Sequence, residues 1–231
     1  MKSDSAVISF IENFPVSASF KEADTGRYIV NNAYNSRQFD VENPKDLEGL
    51  TIRDLNFCQP EWGKQYSGMI EELDFNAREK KSHMLGRHQF IDNHGEVQLE
   101  EMVKFPVLGS RGNILGIVTY RHDITPVLSP NNIYHLYRGF YDAKNAIKRV
   151  LVCLEVDQYF VAQPTEAQFR VFLLKAERFA NKEVAKFLGT SDRTVECHLV
   201  ALRNKVVEGN LSRVLSLVKW SSGCADNSIQ C

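Results

Sequence analysis

The sequence predicts an α+β protein with two modules, on three observations. Over residues 5–125, short apolar stretches alternate in period 2 between turns that contain Gly, which is typical of an antiparallel sheet with a few helices. Over residues 161–220, apolar residues recur every three or four positions, which predicts an all-α module of four helices. Residues 1–125 carry 14 Lys and Arg against 19 Asp and Glu, whereas residues 161–220 carry 10 against six, so the second module suits a polyanion. Residues 126–160 are predicted to form a helical connector, and residues 221–231 a flexible tail.

The composition is that of a globular protein. The chain has 231 residues, a formal net charge of -1 and 43% hydrophobic residues, which disfavours disordered and fibrous classes. No window approaches about 18 consecutive apolar residues, and the N-terminus lacks the features of a signal peptide. We therefore expect a cytoplasmic protein with no membrane partner. The five Cys show no CxxC spacing and are odd in number, so neither a disulfide framework nor a closed zinc site is expected.

The first module contains three predicted strand pairs. Residues 14–21 and 27–30 flank the turn signal Asp24-Thr25-Gly26 and predict a hairpin. A helix is predicted from Pro60, because apolar residues follow it at helical spacing. Four further strands are predicted around two turns that contain Gly, at residues 88–91, 97–100, 101–105 and 114–120.

This order of a hairpin, helices and long antiparallel strands resembles a PAS domain. The matching segments are residues 20–34, 112–117 and 121–125. The resemblance implies a sensory or dimerising module in which the sheet and short helices enclose a pocket.

The sequence does not require a cofactor in this module. No two of the candidate haem or metal ligands have a ligand spacing on one helix face, so surface or core histidines are the simpler interpretation. Cys58 lies in a segment that is similar to the flavin-binding Cys motif of light-sensing PAS relatives, but the Arg and Gln that follow the Cys there are missing. A small organic ligand in the PAS-like pocket, or no ligand, both remain open. The candidate ligands are His83, His88, His94 and His122.

The connector is predicted as one helix of about six turns with a single apolar stripe. Asn131 and Asn132 can cap it after Pro130. Such a stripe must be buried either against the sheet of its own first module or against a second copy of the chain, and the sequence leaves both open. The stripe consists of Ile133, Leu136, Tyr137, Phe140, Ile147, Val150, Leu151 and Leu154.

The four helices of the second module have capping residues at their expected starts, namely Thr165, Asn181, Ser191 and Asn210. The short break at Gly189-Thr190 joins the second helix to a third that runs from Asp192 to about Val206. Two helices joined by a brief turn with Gly form a helix-turn-helix arrangement.

The segment also resembles the LuxR/NarL-type DNA-binding domain closely, at residues 164–172, 180–191, 193–199 and 205–206. The resemblance implies that the third helix enters the major groove of duplex DNA. Helix starts and basic side chains are then expected at phosphates, because those contacts orient the protein. The fourth helix would supply a homodimer contact, and His198 a structural or phosphate-facing role. The expected phosphate contacts are Asn181, Lys182, Arg193, Thr194, Arg203 and Lys205. The expected base-reading positions are Glu196, Cys197 and Val200. The candidate dimer contacts are Leu211, Leu215 and Val218.

Glu196 departs from the commonest pattern, in which this position is Lys. A carboxylate accepts a hydrogen bond from the cytosine amino group, so Glu196 either specifies a C·G pair or pairs with Arg193 or Arg203 and reads no base.

The sequence therefore predicts a regulator of transcription that binds duplex DNA as a homodimer under the control of a PAS-like sensor. No paired carboxylates, nucleophile–base pair or phosphate loop points to an enzyme. The alternative is a co-regulator or anti-activator whose helix-turn-helix binds a protein. RNA polymerase or another regulator is a possible further partner.

Overall fold

A computed structural model describes residues 2–218, with side chains from residue 6 onward. The chain divides after Ile124 into two compact units. The predicted flexible tail at 221–231, with Cys224 and Cys231, lies outside the described residues. No helix within residues 2–218 is long and apolar enough to cross a membrane.

The N-terminal unit contains an antiparallel sheet whose strand order is β2-β1-β5-β4-β3. Strand β5 lies at the centre, paired with β1 through Phe20 opposite Val118 and with β4 through Val103 opposite Tyr120. The strands are β1 (Ser17–Lys21), β2 (Tyr28–Asn31), β3 (Met84–Ile91), β4 (Val97–Leu108) and β5 (Ile114–Asp123).

The prediction of separate strands at 97–100 and 101–105 is wrong. The structure has one strand of 12 residues there, β4. No Gly or Pro interrupts residues 97–105, so nothing turns the chain between Glu100 and Glu101. The continuous strand is long enough to pair along one edge with β3, where Arg87 lies opposite Glu101, and along the other edge with β5.

Helices cover both faces of this sheet. Helix α1 (Lys2–Glu12) packs on one face over Phe20, Val30 and Val118. Helices α2 (Ala33–Gln38) and α3 (Pro60–Lys80) belong with the opposite face. Helix α3 approaches residue 57 so closely that a Cβ on Gly63 would lie 2.5 Å from the Phe57 ring. The core on this second face contains Tyr28, Phe39, Leu47, Ile52, Tyr66, Ile70, Phe90 and Met102.

The C-terminal unit is helical, and most of the predicted caps are confirmed. The hydroxyls of Thr165 and Ser191 and the amide oxygen of Asn210 each accept a hydrogen bond from a backbone N–H three residues on. The second helix instead begins after Ala180, so Asn181 is its first residue rather than its cap. The helices are α4 (Pro130–Arg138), α5 (Ala143–Cys153), α6 (Glu166–Ala176), α7 (Asn181–Leu188), α8 (Asp192–Arg203) and α9 (Leu211–Leu217).

The prediction of one continuous connector helix is also wrong. Helix α4 is capped by Ser129 rather than by Asn131 or Asn132, and it ends at Gly139. Asp142 then caps α5, because its carboxylate accepts the Asn145 N–H at 2.9 Å.

The apolar stripe of the connector is buried within the C-terminal unit itself. Its helices α4 and α5 both pack against α6. The Tyr134 ring meets Phe169 at 5.2 Å between centroids, and the Tyr134 hydroxyl donates to Glu166. Phe140 is half-buried, and the other seven residues of the stripe are buried.

Candidate nucleic-acid interface and interior cavity

The helix-turn-helix is set by local geometry between α7 and α8. Gly189 ends α7 with φ 63° and ψ 37°, a left-handed conformation that Gly adopts without the steric cost of a Cβ. Ser191 then starts α8, because its Oγ accepts the Thr194 N–H at 3.1 Å. The Oγ atoms of Ser191 and Thr194 also lie 2.9 Å apart, so both hydroxyls stand at the start of this helix.

Helix α8 has a buried face and an outward face. Val195 and Leu202 are fully buried and anchor the helix to its unit. Each outward position has another three or four residues away along the helix, which places them on one side of it. This face brings together five of the predicted site residues, all of them exposed: Arg193, Glu196, Cys197, Val200 and Arg203.

The start of α7 offers one exposed cation. Lys182 is exposed, whereas Asn181 is only half-exposed. The Glu183 carboxylate accepts the Ala180 N–H at 2.6 Å, so an acidic group already occupies part of the positive end of this helix. An incoming phosphate would meet Lys182 beside that carboxylate.

Lys205 lies beyond the end of α8 and has a structural contact. Its ammonium donates to the Gln163 carbonyl at 2.9 Å, and its own carbonyl accepts the Val161 N–H. This arrangement ties the segment after α8 to the segment before α6. The half-buried Lys205 is therefore less accessible than Arg203, which is exposed at the last position of α8.

The Glu196 carboxylate is directed to solvent. Glu196, Arg193 and Arg203 are all exposed, and among the described residues no ion pair joins this carboxylate to either arginine. Of the two alternatives for this residue, the internal ion pair is therefore not formed in this structure.

The predicted dimer contacts on α9 are largely used inside the unit. Leu211 and Val218 are buried, with 4% and 7% of their surfaces exposed. Leu215 is half-exposed. Of the three candidates, Leu215 alone retains substantial surface for a partner.

The interior of the N-terminal unit is filled mainly by aromatic rings. Phe39, Phe57, Trp62, Tyr66 and Phe90 meet one another at ring-centroid distances of 4.9–6.1 Å. The cavity that remains beside them measures about 10 Å³. A second, open groove of about 250 Å³ lies at the surface, along residues 53–57 and the first turns of α3. An organic ligand would enter the interior only if these side chains moved.

Five charged residues are linked to one another beside this cavity: Lys21, Lys104 and Arg121 line it, and Asp74 and Glu100 pair with them. Asp74 receives Lys21 Nζ at 3.1 Å and Lys104 Nζ on its other oxygen. Burial would raise the pKa of Asp74, but the two ammonium groups outweigh it and hold that pKa below its ordinary value. Burial, with repulsion from Lys21, lowers the pKa of Lys104 to about 8, although Asp74 opposes this change.

Arg121 and Glu100 form the other half of the set. The Arg121 guanidinium contacts the Tyr66 hydroxyl at 3.0 Å and the Asn35 amide oxygen, and lies 3.8 Å from the Glu100 carboxylate. Burial would raise the pKa of Glu100, but Arg121 and a hydrogen bond from His88 lower it overall. The sequence analysis missed these residues. Their one signal in the sequence is that Glu100 and Lys104, four residues apart on β4, fall on the same face of a strand as the buried Met102.

The candidate cofactor residues are dispersed. His88 is buried and its Nε2 lies 3.0 Å from Glu100, whereas His83, His94 and His122 are exposed. Cys58 is exposed as well. In the described part of the chain, no three His, Cys, Asp or Glu side chains are grouped so that they could hold a metal ion.

The two units define a class of fold: a PAS-like unit with its five-stranded antiparallel sheet, followed by a helical unit that contains a helix-turn-helix. The predicted fold class is thus confirmed.

Solved structures of VqmA are similar to this chain over nearly its whole length. The Vibrio cholerae VqmA–ligand–DNA complex is similar with 16% identity and a TM-score of 0.52, covering 93% of this chain and 89% of that one. The phage VqmA–DPO complex is similar with 19% identity and a TM-score of 0.52, covering 94% and 88%. The PAS domain of Bordetella pertussis BvgS has 18% identity and a TM-score of 0.46 over 54% of this chain and 88% of that one. No protein-family model and no curated protein sequence matches the chain.

Proposed function

We propose that this protein is a regulator of transcription that binds duplex DNA through α7 and α8 under the control of its PAS-like unit. The observation that carries the proposal is the outward face of α8. Two basic side chains, Arg193 and Arg203, and three possible base-reading side chains share this face, while Val195 and Leu202 hold the opposite face in the core. VqmA has been solved with ligand and DNA in a structure that shares this fold, which supports a DNA-binding role for the fold in this protein.

In this proposal, the phosphate contacts come from helix starts and basic side chains. Arg193 lies in the first turn of α8, where the helix dipole and unpaired N–H groups favour an anion. Thr194 adds a hydroxyl there, and Lys182 and Asn181 approach the backbone from the start of α7. Arg203 contacts the phosphates further along the groove. Lys205 adds a weaker contribution, because its ammonium is already bound to Gln163.

Sequence specificity would come from Glu196, Cys197 and Val200. The solvent-directed carboxylate of Glu196 can accept a hydrogen bond from a cytosine amino group in the major groove. Val200, with 55% of its surface exposed, can contact a thymine methyl group. Replacement of Glu196 by Ala should therefore change which base is preferred at one position. Selection from randomised duplexes measures this, and an unchanged base preference would refute the reading role.

The excess of basic residues in 161–220 is only four, so a single helix-turn-helix has modest electrostatic attraction for DNA. We therefore propose that a homodimer occupies two half-sites. Native mass spectrometry with and without duplex DNA tests this part of the proposal, and a complex with one chain per duplex would contradict it.

The DNA-binding role is tested by the salt dependence of binding to fluorescent duplexes. Each neutralised phosphate contributes a slope of about -0.9 in log K against log [salt]. Arg193→Ala should weaken binding to all duplexes by a similar factor and make the slope shallower by about one. Lys45→Ala, which removes an exposed charge from the N-terminal unit, is the matched control and should leave the slope unchanged. No duplex binding at low salt would refute the proposal.

A protein-binding co-regulator is the second candidate. The observation in its favour is the apolar surface on α7 and α8, where Phe187 and Val200 are 56% and 55% exposed, together with the acidic Glu196. Such a protein would bind another regulator through this face. The same salt titration separates the two candidates, because a co-regulator would show no binding to duplex DNA.

A further inference from the structure

The cavity inside the N-terminal unit is surrounded by cations. Lys21, Lys104 and Arg121 expose 3%, 1% and 5% of their surfaces, and all three line the cavity. The carboxylates that partner them, Asp74 and Glu100, are not among the lining residues. All three cationic residues thus belong to the wall of this space, and neither of the two carboxylate residues does.

The buried charges do not balance. Among Lys21, Lys104, Arg121, Asp74 and Glu100, three cations stand against two carboxylates, which leaves one positive charge in excess. An uncompensated charge inside a protein is strongly unfavourable. The imbalance is relieved if a lysine loses its proton or if an anion enters.

Neutral hydrogen-bond donors complete the lining. Ser19, Tyr28, Tyr66, Thr119 and Asn35, which carry hydroxyl or amide groups, line the same space. Hydroxyl and amide groups stabilise a monatomic anion by donating hydrogen bonds to it.

The size of the cavity restricts its occupant. Its volume of about 10 Å³ is near the least space that holds one water molecule, about 10–15 Å³. An anion of one atom has a larger radius than water, so it enters only when the surrounding side chains shift outward. A carboxylate with an organic substituent needs a larger rearrangement of the surrounding rings.

We propose that this cavity is a binding site for one small monovalent anion of the size of chloride, held by Lys21, Lys104 and Arg121. The site concerns the N-terminal unit alone and does not depend on the DNA-binding role. The bound anion neutralises the excess charge and thereby stabilises the unit in which it lies.

Binding of the anion is coupled to the protonation of Lys104. The groups that face this lysine are Lys21 on β1, Asp74 on α3, and Thr119 and Arg121 on β5. Without the anion, the pKa of Lys104 is about 8, so its charge is lost as pH rises through that value. The anion favours the charged form, so its affinity should fall as pH rises above about 8.

The test uses the full chain in gluconate buffer at pH 7, with chloride replacing gluconate at constant ionic strength. Trp62 fluorescence in a Trp220→Phe background reports the unfolding of the N-terminal unit. The unfolding temperature should rise with the logarithm of the chloride concentration. Lys104→Met, which balances the buried charges, should remove this dependence. Lys45→Met, which removes an exposed lysine of the same unit, should retain it.

Two results would overturn the proposal: equal unfolding temperatures in chloride and gluconate, or a chloride effect that persists in Lys104→Met. A bromide soak of wild-type crystals gives an independent test that needs no variant. An anomalous peak between Lys21, Lys104 and Arg121 is expected, and its absence at saturating bromide would refute the site. Stabilisation by acetate but not by chloride would contradict the assigned size.

Discussion

Removal of the Asp74 carboxylate should destabilise the N-terminal unit strongly. In the variant Asp74→Asn, the ammonium groups of Lys21 and Lys104 lose their carboxylate partner. In the wild-type protein, that carboxylate lies 3.1 Å from the Lys21 ammonium and also contacts the Lys104 ammonium. The excess of buried positive charge rises from one to two. Breaking a buried pair by removing one partner costs about 3–5 kcal/mol, and we expect a loss of this size in the free energy of unfolding.

The assay is urea unfolding at pH 7 in chloride-free buffer, followed by Trp62 fluorescence in the Trp220→Phe background. Glu61→Gln is the matched control on the same helix, because its ion pair with Lys64 is exposed and is worth roughly 0–1 kcal/mol. The double variant Asp74→Asn with Lys104→Met returns the excess charge to one and should recover most of the loss. A loss below about 1 kcal/mol, or strictly additive effects in the double variant, would refute this reasoning.

Three further predictions concern stability. Gly63→Ala should lower the free energy of unfolding by about 1–3 kcal/mol, because the added Cβ would meet the Phe57 ring. Gly68→Ala on the same helix has open space for its Cβ, so urea unfolding should show this control to be neutral or stabilising. Ser191→Ala should cost about 1 kcal/mol through loss of the α8 cap, and an unchanged unfolding midpoint of the C-terminal unit would contradict it. In chloride-free buffer, wild-type stability should rise relative to Lys104→Met between pH 8 and 10.5, because the unfolded chain binds more protons in this window; parallel pH curves would contradict the lowered pKa.

The helix-turn-helix was predictable because its signals are local. The apolar positions of α8, the cap at Ser191 and the left-handed turn at Gly189 all lie within about twenty residues and act on neighbouring backbone. The hairpin of β1 and β2 was predictable for the same reason. The break at Gly139 was not assigned, since the apolar spacing continues across it while Asp142 restarts the helix.

The interior charges could not be predicted in the same way. Lys21 and Lys104 are 83 residues apart in the sequence, and only strand pairing through β5 brings both to Asp74. A lysine in a strand is normally solvated, so the composition and the period-2 alternation of a strand favour an exposed position for its lysines. Helix α1 is also absent from the predicted elements, because the apolar run of residues 2–12 is broken by polar residues.

The reactivity of three cysteines tests the DNA-binding role most directly. Cys197 lies on the outward face of α8, and Cys58 and Cys153 are exposed elsewhere. We expect saturating duplex DNA to slow alkylation of Cys197 about tenfold when about nine-tenths of the protein is bound, while Cys58 and Cys153 react at unchanged rates. Equal reactivity of Cys197 with and without bound duplex would show that α8 does not enter the groove.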